Sequence, residues 1–140
     1  MTEKQYNDPI KEAERYIKNA RQILKERAGL DHTINRYKDP KFVRMAGNTI
    51  WNGVLLAVDG VLGVEKGLKK GQRADFDDYK KSIDKRDKKA GVMFLDTYEA
   101  SHKYMGYDGY LQVTTSKTAL KCAVYIIEWC KKIQSKDLKK

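Results

Sequence analysis

The stretch that decides the fold is KFVRMAGNTIWNGVLLAVDGVL, residues 41–62, which follows the pair Asp39-Pro40. Its apolar residues recur at intervals of three and four, which is the period of an α-helix. Asp is a favourable N-cap and Pro is tolerated in the first turn, so the most buried helix is predicted over 40–62. Three glycines lie inside it: Gly47, Gly53 and Gly60. Each costs about 1 kcal/mol relative to Ala, a cost that close approach of a neighbouring helix would offset.

Helical patterns also precede and follow this stretch. Asp8-Pro9 repeats the start signal, and an apolar stripe predicts a first helix over about 9–28 that Gly29 ends. A third block starts at Asp75, and Gly91 is expected to kink or split it. The intervening residues 29–39 and 63–74 are interpreted as loops because turn-forming residues dominate them.

The last block, from about 114 to 134, carries apolar residues on two flanks. Its start is assigned to an N-cap at Thr114, Thr115 or Ser116, and a frayed polar tail is expected after Gln134. A helix of this kind packs on two neighbours, or on one neighbour and a partner chain. The sequence leaves both alternatives open.

These blocks predict an all-α protein. No segment shows the alternation of a strand, and no internal repeat or linker is found. We expect one helical domain over 1–140, with a core from about 9 to 134. The predicted architecture is an up-and-down four-helix bundle, or five helices if the third block is split near Gly91.

Composition limits the class of protein. The 140 residues include 29 Lys+Arg and 19 Asp+Glu, giving a formal net charge of +10, and 41% are hydrophobic. The longest uncharged stretch, 45–58, is too short to span a membrane, and the N-terminus has no apolar run that would form a signal peptide. Cys122 and Cys130 lie about 12 Å apart along a helix, so they are expected to be free thiols in a reducing cytoplasm.

The positive charge offers one candidate binding site. Four basic residues lie in the glycine-rich loop 63–74: Lys66, Lys69, Lys70 and Arg73. Such a patch attracts phosphate groups, so it is a candidate site for an anion or a nucleic acid. The alternative is a solvated charged face, which is favoured because 22 of the 29 basic residues are Lys and not Arg.

Catalytic candidates are few. Arg27 and His32 form an Arg-x4-His string, and a guanidinium beside an imidazole can stabilise charge and move a proton during RNA cleavage. So short a string also arises by chance. His102 is interpreted as a cap near a helix C-terminus. No metal-ligand spacing and no complete phosphate-binding motif is found, so neither a metal nor a cofactor is predicted.

Tyrosines cluster before the last helix. Tyr98, Tyr104, Tyr107 and Tyr110 are candidates for stacking on bases, but the favoured interpretation is that their rings close a turn against the bundle. The aspartates Asp75, Asp77 and Asp78 are likewise assigned to the start of the third helix, where they favour its dipole, and not to a metal site.

The layout resembles a known superfamily. The helix 16–24, the helix 41–58, the Tyr107-Asp-Gly turn and a final helix ending at 126–133 are similar to the HEPN superfamily (higher eukaryotes and prokaryotes nucleotide-binding). Within this superfamily, the sequence resembles a small bacterial family of uncharacterised proteins. The resemblance implies a four-helix bundle that commonly dimerises. It also implies either a ribonuclease or a non-catalytic partner of a nucleotidyltransferase.

The resemblance also bears on catalysis. HEPN ribonucleases carry Arg-x4-6-His beside the last helices, whereas Arg27 and His32 stand at the end of the first helix. We therefore expect a non-catalytic, cytoplasmic interaction or binding module that forms a homodimer, with a protein or nucleic acid as a further partner. The two alternatives are a nucleic-acid or nucleotide binder through Lys66, Lys69, Lys70 and Arg73, and a metal-independent ribonuclease that uses Arg27 and His32.

Overall fold

The computed structural model describes residues 8–138, and this part of the chain is mostly helical, as the sequence predicts. In chain order, the elements are α1 (Pro9–Glu26), β1 (Leu30–Asp31), β2 (Arg36–Tyr37), α2 (Pro40–Leu62), a short 3-10 helix (Glu65–Gly67), α3 (Phe76–Arg86), α4 (Lys88–Thr97), a π-helical segment (Tyr98–Tyr107) and α5 (Val113–Leu138). No helix within 8–138 combines the length and apolarity needed to cross a lipid bilayer.

The starts of α1 and α2 are fixed by the two Asp-Pro pairs. The carboxylate of Asp8 accepts a hydrogen bond of 3.0 Å from the N–H of Ile10, and Asp39 accepts one of the same length from Lys41. Each carboxylate satisfies a first-turn donor that has no partner inside the helix. At the other end of α2, Gly63 takes the left-handed conformation (φ 64°) that ends many helices.

The centre of the bundle is α2, which packs against α1, the π segment and α5. A Cβ at Gly47 would overlap the π segment, one at Gly53 would lie 2.9 Å from Cβ of Tyr16, and one at Gly60 would overlap Pro9. The three glycines therefore permit the close approach that their helical position indicates. The buried residues of α2 are Val43, Ala46, Gly47, Ile50, Trp51, Gly53, Val54, Ala57 and Val58.

The third block is interrupted at Asp87, four residues before the position predicted from Gly91. Asp87 is extended (φ −160°, ψ 111°), and its carboxylate caps α4 by accepting from the N–H of Ala90 at 3.1 Å. The capping side chain therefore decides the break, because it offers the backbone an alternative to the helical ladder. Gly91 instead lies buried within α4, where a Cβ would overlap the carboxylate of Asp84.

A hairpin lies in the predicted loop 29–39. Its two strands pair antiparallel, with Leu30 opposite Tyr37 and Asp31 opposite Arg36. The hydroxyl of Tyr37 lies 2.8 Å from Oγ of Ser116, which is buried in the first turn of α5. Because α5 begins at Val113, the predicted N-cap at 114–116 is wrong. Strands of two residues are too short to produce a readable alternation.

The second apolar flank of α5 is covered only in part within the chain. Leu120 is 9% exposed and Ile127 is 2% exposed, but Val124 between them is 36% exposed, so both alternatives for this helix stay open. The helix also continues to Leu138, past the tail that was expected to fray after Gln134. Within the described residues, its two cysteines are free thiols, and burial raises the pKa of Cys130 to about 12.

Candidate functional site

The two candidate catalytic residues, Arg27 and His32, lie in different environments. Arg27 follows α1, and its guanidinium carbon lies 5.7 Å from the centre of the Phe42 ring. His32 is exposed in the turn of the hairpin. Within residues 8–138, no hydrogen bond joins these two side chains, and no group of three His, Cys, Asp or Glu residues is arranged to hold a metal ion.

The four residues of the predicted basic patch are all exposed: Lys66 lies in the 3-10 helix, and Lys69, Lys70 and Arg73 lie between this helix and α3. Acidic residues stand at both ends of this segment, at Glu65 and Asp75. The carboxylate of Asp75 accepts a hydrogen bond from the N–H of Asp78 at 2.9 Å, and the carboxylate of Asp78 accepts one from the N–H of Asp75 at 2.9 Å. These two reciprocal bonds form a capping box. The hydrogen bond from the Asp78 N–H holds the pKa of Asp75 below its usual range. The side chains of Asp75 and Asp78 therefore cap the N-terminus of α3.

The predicted tyrosine cluster divides into two environments. Tyr98 packs among aromatic rings, with its ring centre 5.3 Å from that of Trp51 and 4.4 Å from that of Phe76. Three other tyrosines point to solvent: Tyr104, Tyr107 and Tyr110, which are 44%, 82% and 44% exposed. Tyr98 therefore packs against the bundle, although away from the turn, whereas Tyr104 and Tyr110 pack on each other and Tyr107 is mostly exposed.

The turn that carries the exposed tyrosines is held by α2. Nε of Arg44 donates to the carbonyl of Tyr107 at 3.4 Å, and Nδ2 of Asn48 donates to the carbonyl of Gly106 at 3.4 Å. Gly109 adopts φ +66°, and a Cβ there would lie 3.1 Å from Pro40. These contacts fix the backbone from which the three rings project.

The hairpin flanks the same turn. The N–H of Tyr37 donates to the carbonyl of Leu111 at 2.8 Å, and Arg36 forms a backbone bridge with Gln112. A shallow cavity of about 370 Å³ is lined by Arg36, Asp108, Gly109, Tyr110, Leu111 and Gln112. The ion pairs within residues 8–138 are Arg15–Glu12 and Lys80–Asp84, so neither Arg36 nor Asp108 has an ionic partner there. We call Arg36, Tyr104, Tyr107, Asp108 and Tyr110 the tyrosine face.

His102 belongs to the enclosed aromatic group and not to a helix C-terminus. Its ring stacks on Tyr98 at 5.4 Å and lies 6.1 Å from the ring of Trp51. Its Nδ1 is buried and has no hydrogen-bond partner within the described residues. The interpretation of His102 as a C-terminal cap is therefore wrong, because the helix continues past it as the π segment to Tyr107.

A second concave surface, the acidic cleft, lies between α1, α2, the 3-10 helix and α3. Its volume is about 640 Å³, and it is lined by Pro9, Glu12, Tyr16, Asn52, Leu55, Leu56, Asp59, Gly60, Glu65 and Tyr79. One oxygen of Asp59 accepts from the N–H of Glu65 at 2.9 Å. Sequence reasoning missed this cleft because its carboxylates come from three separate elements, at Glu12, Asp59 and Glu65.

Tyr79 reports the potential in this cleft. The residue is 6% exposed, and its hydroxyl, which has no hydrogen-bond partner within residues 8–138, is not enclosed by protein. Burial, followed by the nearby carboxylates of Asp59, Glu65 and Asp78, raises the pKa of Tyr79 to about 12. A negative potential opposes loss of the phenolic proton, and it favours positive charge in the same space.

Comparison with known proteins places the chain in a family. The family described as a domain of unknown function, DUF5618, matches residues 8–132, so the chain belongs to this family. A solved structure of a protein of unknown function from Dyadobacter fermentans is similar, with 35% sequence identity and a TM-score of 0.78. The similarity covers 89% of this chain and 93% of that one. No curated protein matches the chain.

Proposed function

We propose that this member of the DUF5618 family is a non-catalytic, HEPN-like interaction module that forms a homodimer through the tyrosine face. The observation that carries the proposal is the exposure of three neighbouring tyrosines on a turn that α2 holds in place. Tyr107 is 82% exposed, and the rings of Tyr104 and Tyr110 lie 5.1 Å apart beside it.

Exposed tyrosines of this kind favour a protein partner. Tyrosine is enriched at the centres of protein interfaces, since its large ring has few rotatable bonds to immobilise. A turn fixed by hydrogen bonds to Arg44 and Asn48 adds little further ordering cost on binding. The surface is therefore suited to a preorganised contact.

The charges of the tyrosine face favour a second copy of the same chain as that partner. Arg36 and Asp108 carry opposite charges, line one shallow cavity and are unpaired within residues 8–138. A two-fold contact brings the same patch against itself, so Arg36 of each copy can meet Asp108 of the other. Such a contact forms two ion pairs, so that Arg36 and Asp108 of both copies are paired.

The HEPN-like assignment is supported by the helical layout. A single residue, Asp87, separates α3 from α4, and the π segment continues α4 without a loop. We therefore count α3, α4 and the π segment together as one interrupted helix, the third of the bundle. We therefore propose an up-and-down four-helix bundle, which is the layout that the HEPN resemblance implies.

Light scattering of the purified chain, combined with a charge exchange, tests this proposal. We expect a dimer mass that Arg36→Asp alone and Asp108→Arg alone shift towards the monomer. The double variant Arg36→Asp/Asp108→Arg recovers the dimer, because the exchanged charges pair again across the two-fold axis. A monomer at all concentrations, or a double variant as monomeric as either single one, contradicts the proposal.

A matched pair of truncations separates the tyrosine face from general surface apolarity. Tyr107→Ala should weaken the dimer, whereas Val92→Ala should leave it unchanged, although Val92 is also an exposed apolar residue (55%). An equal effect of the two variants would place the contact elsewhere.

Nucleic-acid binding is the second candidate function, and the exposure of Lys66, Lys69, Lys70 and Arg73 on one segment favours it. Binding of labelled single-stranded RNA that falls steeply with salt and is lost in Lys69→Glu/Lys70→Glu would support it. Cleavage of the same RNA without metal, lost in His32→Ala, would instead support the ribonuclease alternative that uses Arg27 and His32.

A further inference from the structure

The acidic cleft has the dimensions of a ligand site. Its volume of about 640 Å³ lies within the range of roughly 300–1,000 Å³ that small-molecule pockets occupy. Leu55, Leu56 and Pro9 supply apolar contact, and the rings of Tyr16 and Tyr79 supply aromatic contact. An apolar lining with a few convergent polar groups is the usual composition of such pockets.

The charged groups that line the cleft are all negative. Asp59 and Glu65 have no ionic partner within residues 8–138, although the whole chain carries a net charge of +10. Glu12, on the opposite side, is already paired with Arg15. Asp59 also accepts the N–H of Glu65 through one oxygen, which leaves its second oxygen available to a ligand. The cleft is therefore a local negative region on a positively charged protein.

Tyr79 adds a neutral polar group to the carboxylates of the cleft. The residue as a whole is 6% exposed, and its side chain lines the cleft. Its hydroxyl has no hydrogen-bond partner among the described residues and is not enclosed by protein, so it is open to a ligand in the cleft. Its oxygen can accept a hydrogen bond from a ligand, and its ring can contact an ammonium group.

We propose that the acidic cleft binds a small organic cation, with an ammonium group held by Asp59, Glu65 and Tyr79 and an apolar body against Leu55 and Leu56. A metal ion fits the same surface less well, because no three ligating side chains within residues 8–138 are arranged around one point. A phosphate or carboxylate ligand is disfavoured by the carboxylates that line the cleft. This site lies on different elements from the tyrosine face and does not depend on dimer formation.

Isothermal titration calorimetry with 2-phenylethylammonium chloride tests the proposal, with 2-phenylethanol as the neutral compound of similar shape. We expect the ammonium compound to bind and the alcohol to bind at least about tenfold more weakly, because charge-assisted hydrogen bonds contribute more than neutral ones. Equal binding of the two compounds, or no binding of the ammonium compound up to ~10 mM, overturns the proposal.

Three variants locate the site. Asp59→Asn keeps the acceptor for the Glu65 N–H but removes the charge, and it should weaken the ammonium compound by about tenfold. Tyr79→Phe keeps the ring and should weaken it by about threefold to tenfold, which is the effect of one hydrogen bond. Asp96→Asn, an exposed carboxylate outside the cleft, is the matched control and should leave binding unchanged. If all three variants bind alike, the cation does not occupy this cleft.

Discussion

The tyrosine face and the acidic cleft are two surfaces supported by different parts of one helix. The N-terminal part of α2 holds the tyrosine face through Arg44 and Asn48, and its later residues Leu55 and Asp59 line the acidic cleft. Both surfaces contain tyrosines. In the first, Tyr107 is 82% exposed, and in the second, Tyr79 is 6% exposed.

The difference shows that environment, and not residue type, decides what a tyrosine offers to a partner. An exposed ring on a fixed turn offers apolar area to another surface. An enclosed ring offers its hydroxyl and the part of the ring that lines the cleft, and the carboxylates around Tyr79 favour a positively charged ligand there. The following experiments test this contrast, from the largest expected effect to the smallest.

The largest contrast lies between an enclosed and an exposed aromatic residue. Phe94 is fully buried, with its ring centre 5.1 Å from Trp51 and 5.5 Å from Phe76. Phe94→Ala should lower the free energy of unfolding by about 3–5 kcal/mol, because it leaves a cavity in the aromatic group. At a protein concentration low enough for both proteins to be monomeric, Tyr107→Ala should change it by less than about 0.5 kcal/mol. Urea unfolding measures both, and similar losses would contradict the division into two environments.

The attachment of the tyrosine face to α2 can be broken at Gly47. A Cβ there would overlap the Ser101 carbonyl and Met105 Cβ, and it would lie 2.7 Å from the N atom of Gly106. Because backbone atoms cannot move aside cheaply, Gly47→Ala should cost about 2 kcal/mol despite the better helix propensity of Ala. It should also weaken the proposed dimer, as sedimentation analysis would show.

Gly67→Ala is the matched control for Gly47→Ala. No atom lies within 4 Å of a Cβ built at Gly67, so its free energy of unfolding should stay within about 0.5 kcal/mol of the wild type. A loss at Gly67 as large as that at Gly47 would mean that close packing is not the cause.

Tyr79, which lines the acidic cleft, makes the free energy of unfolding depend on pH in the alkaline range. Since the folded protein raises the pKa of Tyr79 from 10.0 to about 12, it favours the protonated phenol. This contribution is fully present below pH 10 and is lost as the pH rises through about 12. Between pH 10 and 12, the stability of the wild type should fall more steeply with pH than that of Tyr79→Phe, as measured by denaturant unfolding. Parallel curves for the two proteins would contradict the raised pKa.

The smallest effect concerns the aspartates beside the cleft. Asp75→Ala removes one half of the capping box and should lower the Tm by a few degrees. Asp77→Ala leaves the box intact and should leave the Tm unchanged. Thermal unfolding at neutral pH distinguishes them, and equal shifts would indicate a general effect of charge at the helix start instead of a specific cap.

The candidate sites followed from the sequence only in part. The residue types at the tyrosine face were recognised, because Tyr104, Tyr107 and Tyr110 are close together in the chain. The sequence alone does not decide between exposed rings and rings packed on the bundle, since that depends on the path of the π segment relative to α2. Arg36 was not singled out, because only the hairpin brings it beside Asp108.

Local chemistry determined by itself where the first two helices begin. Asp8-Pro9 and Asp39-Pro40 act within one turn of helix, and the period of the apolar residues needs no distant contact to be read. The exact bounds of α2, Pro40–Leu62, and the capping role of Asp75 follow from signals of this range. These features depend on residues fewer than about five positions apart.

Tertiary structure alone decided the features that join distant residues. The acidic cleft unites Glu12, Asp59 and Tyr79, and the degree to which each flank of α5 is buried depends on which helices lie beside it. The crowding around Gly91 also depends on how α3 and α4 pack, whereas the break at Asp87 is a local cap on the N–H of Ala90. The physical reason for the tertiary features is the same: burial, potential and close packing depend on distances across the bundle, and the sequence of one chain does not state those distances.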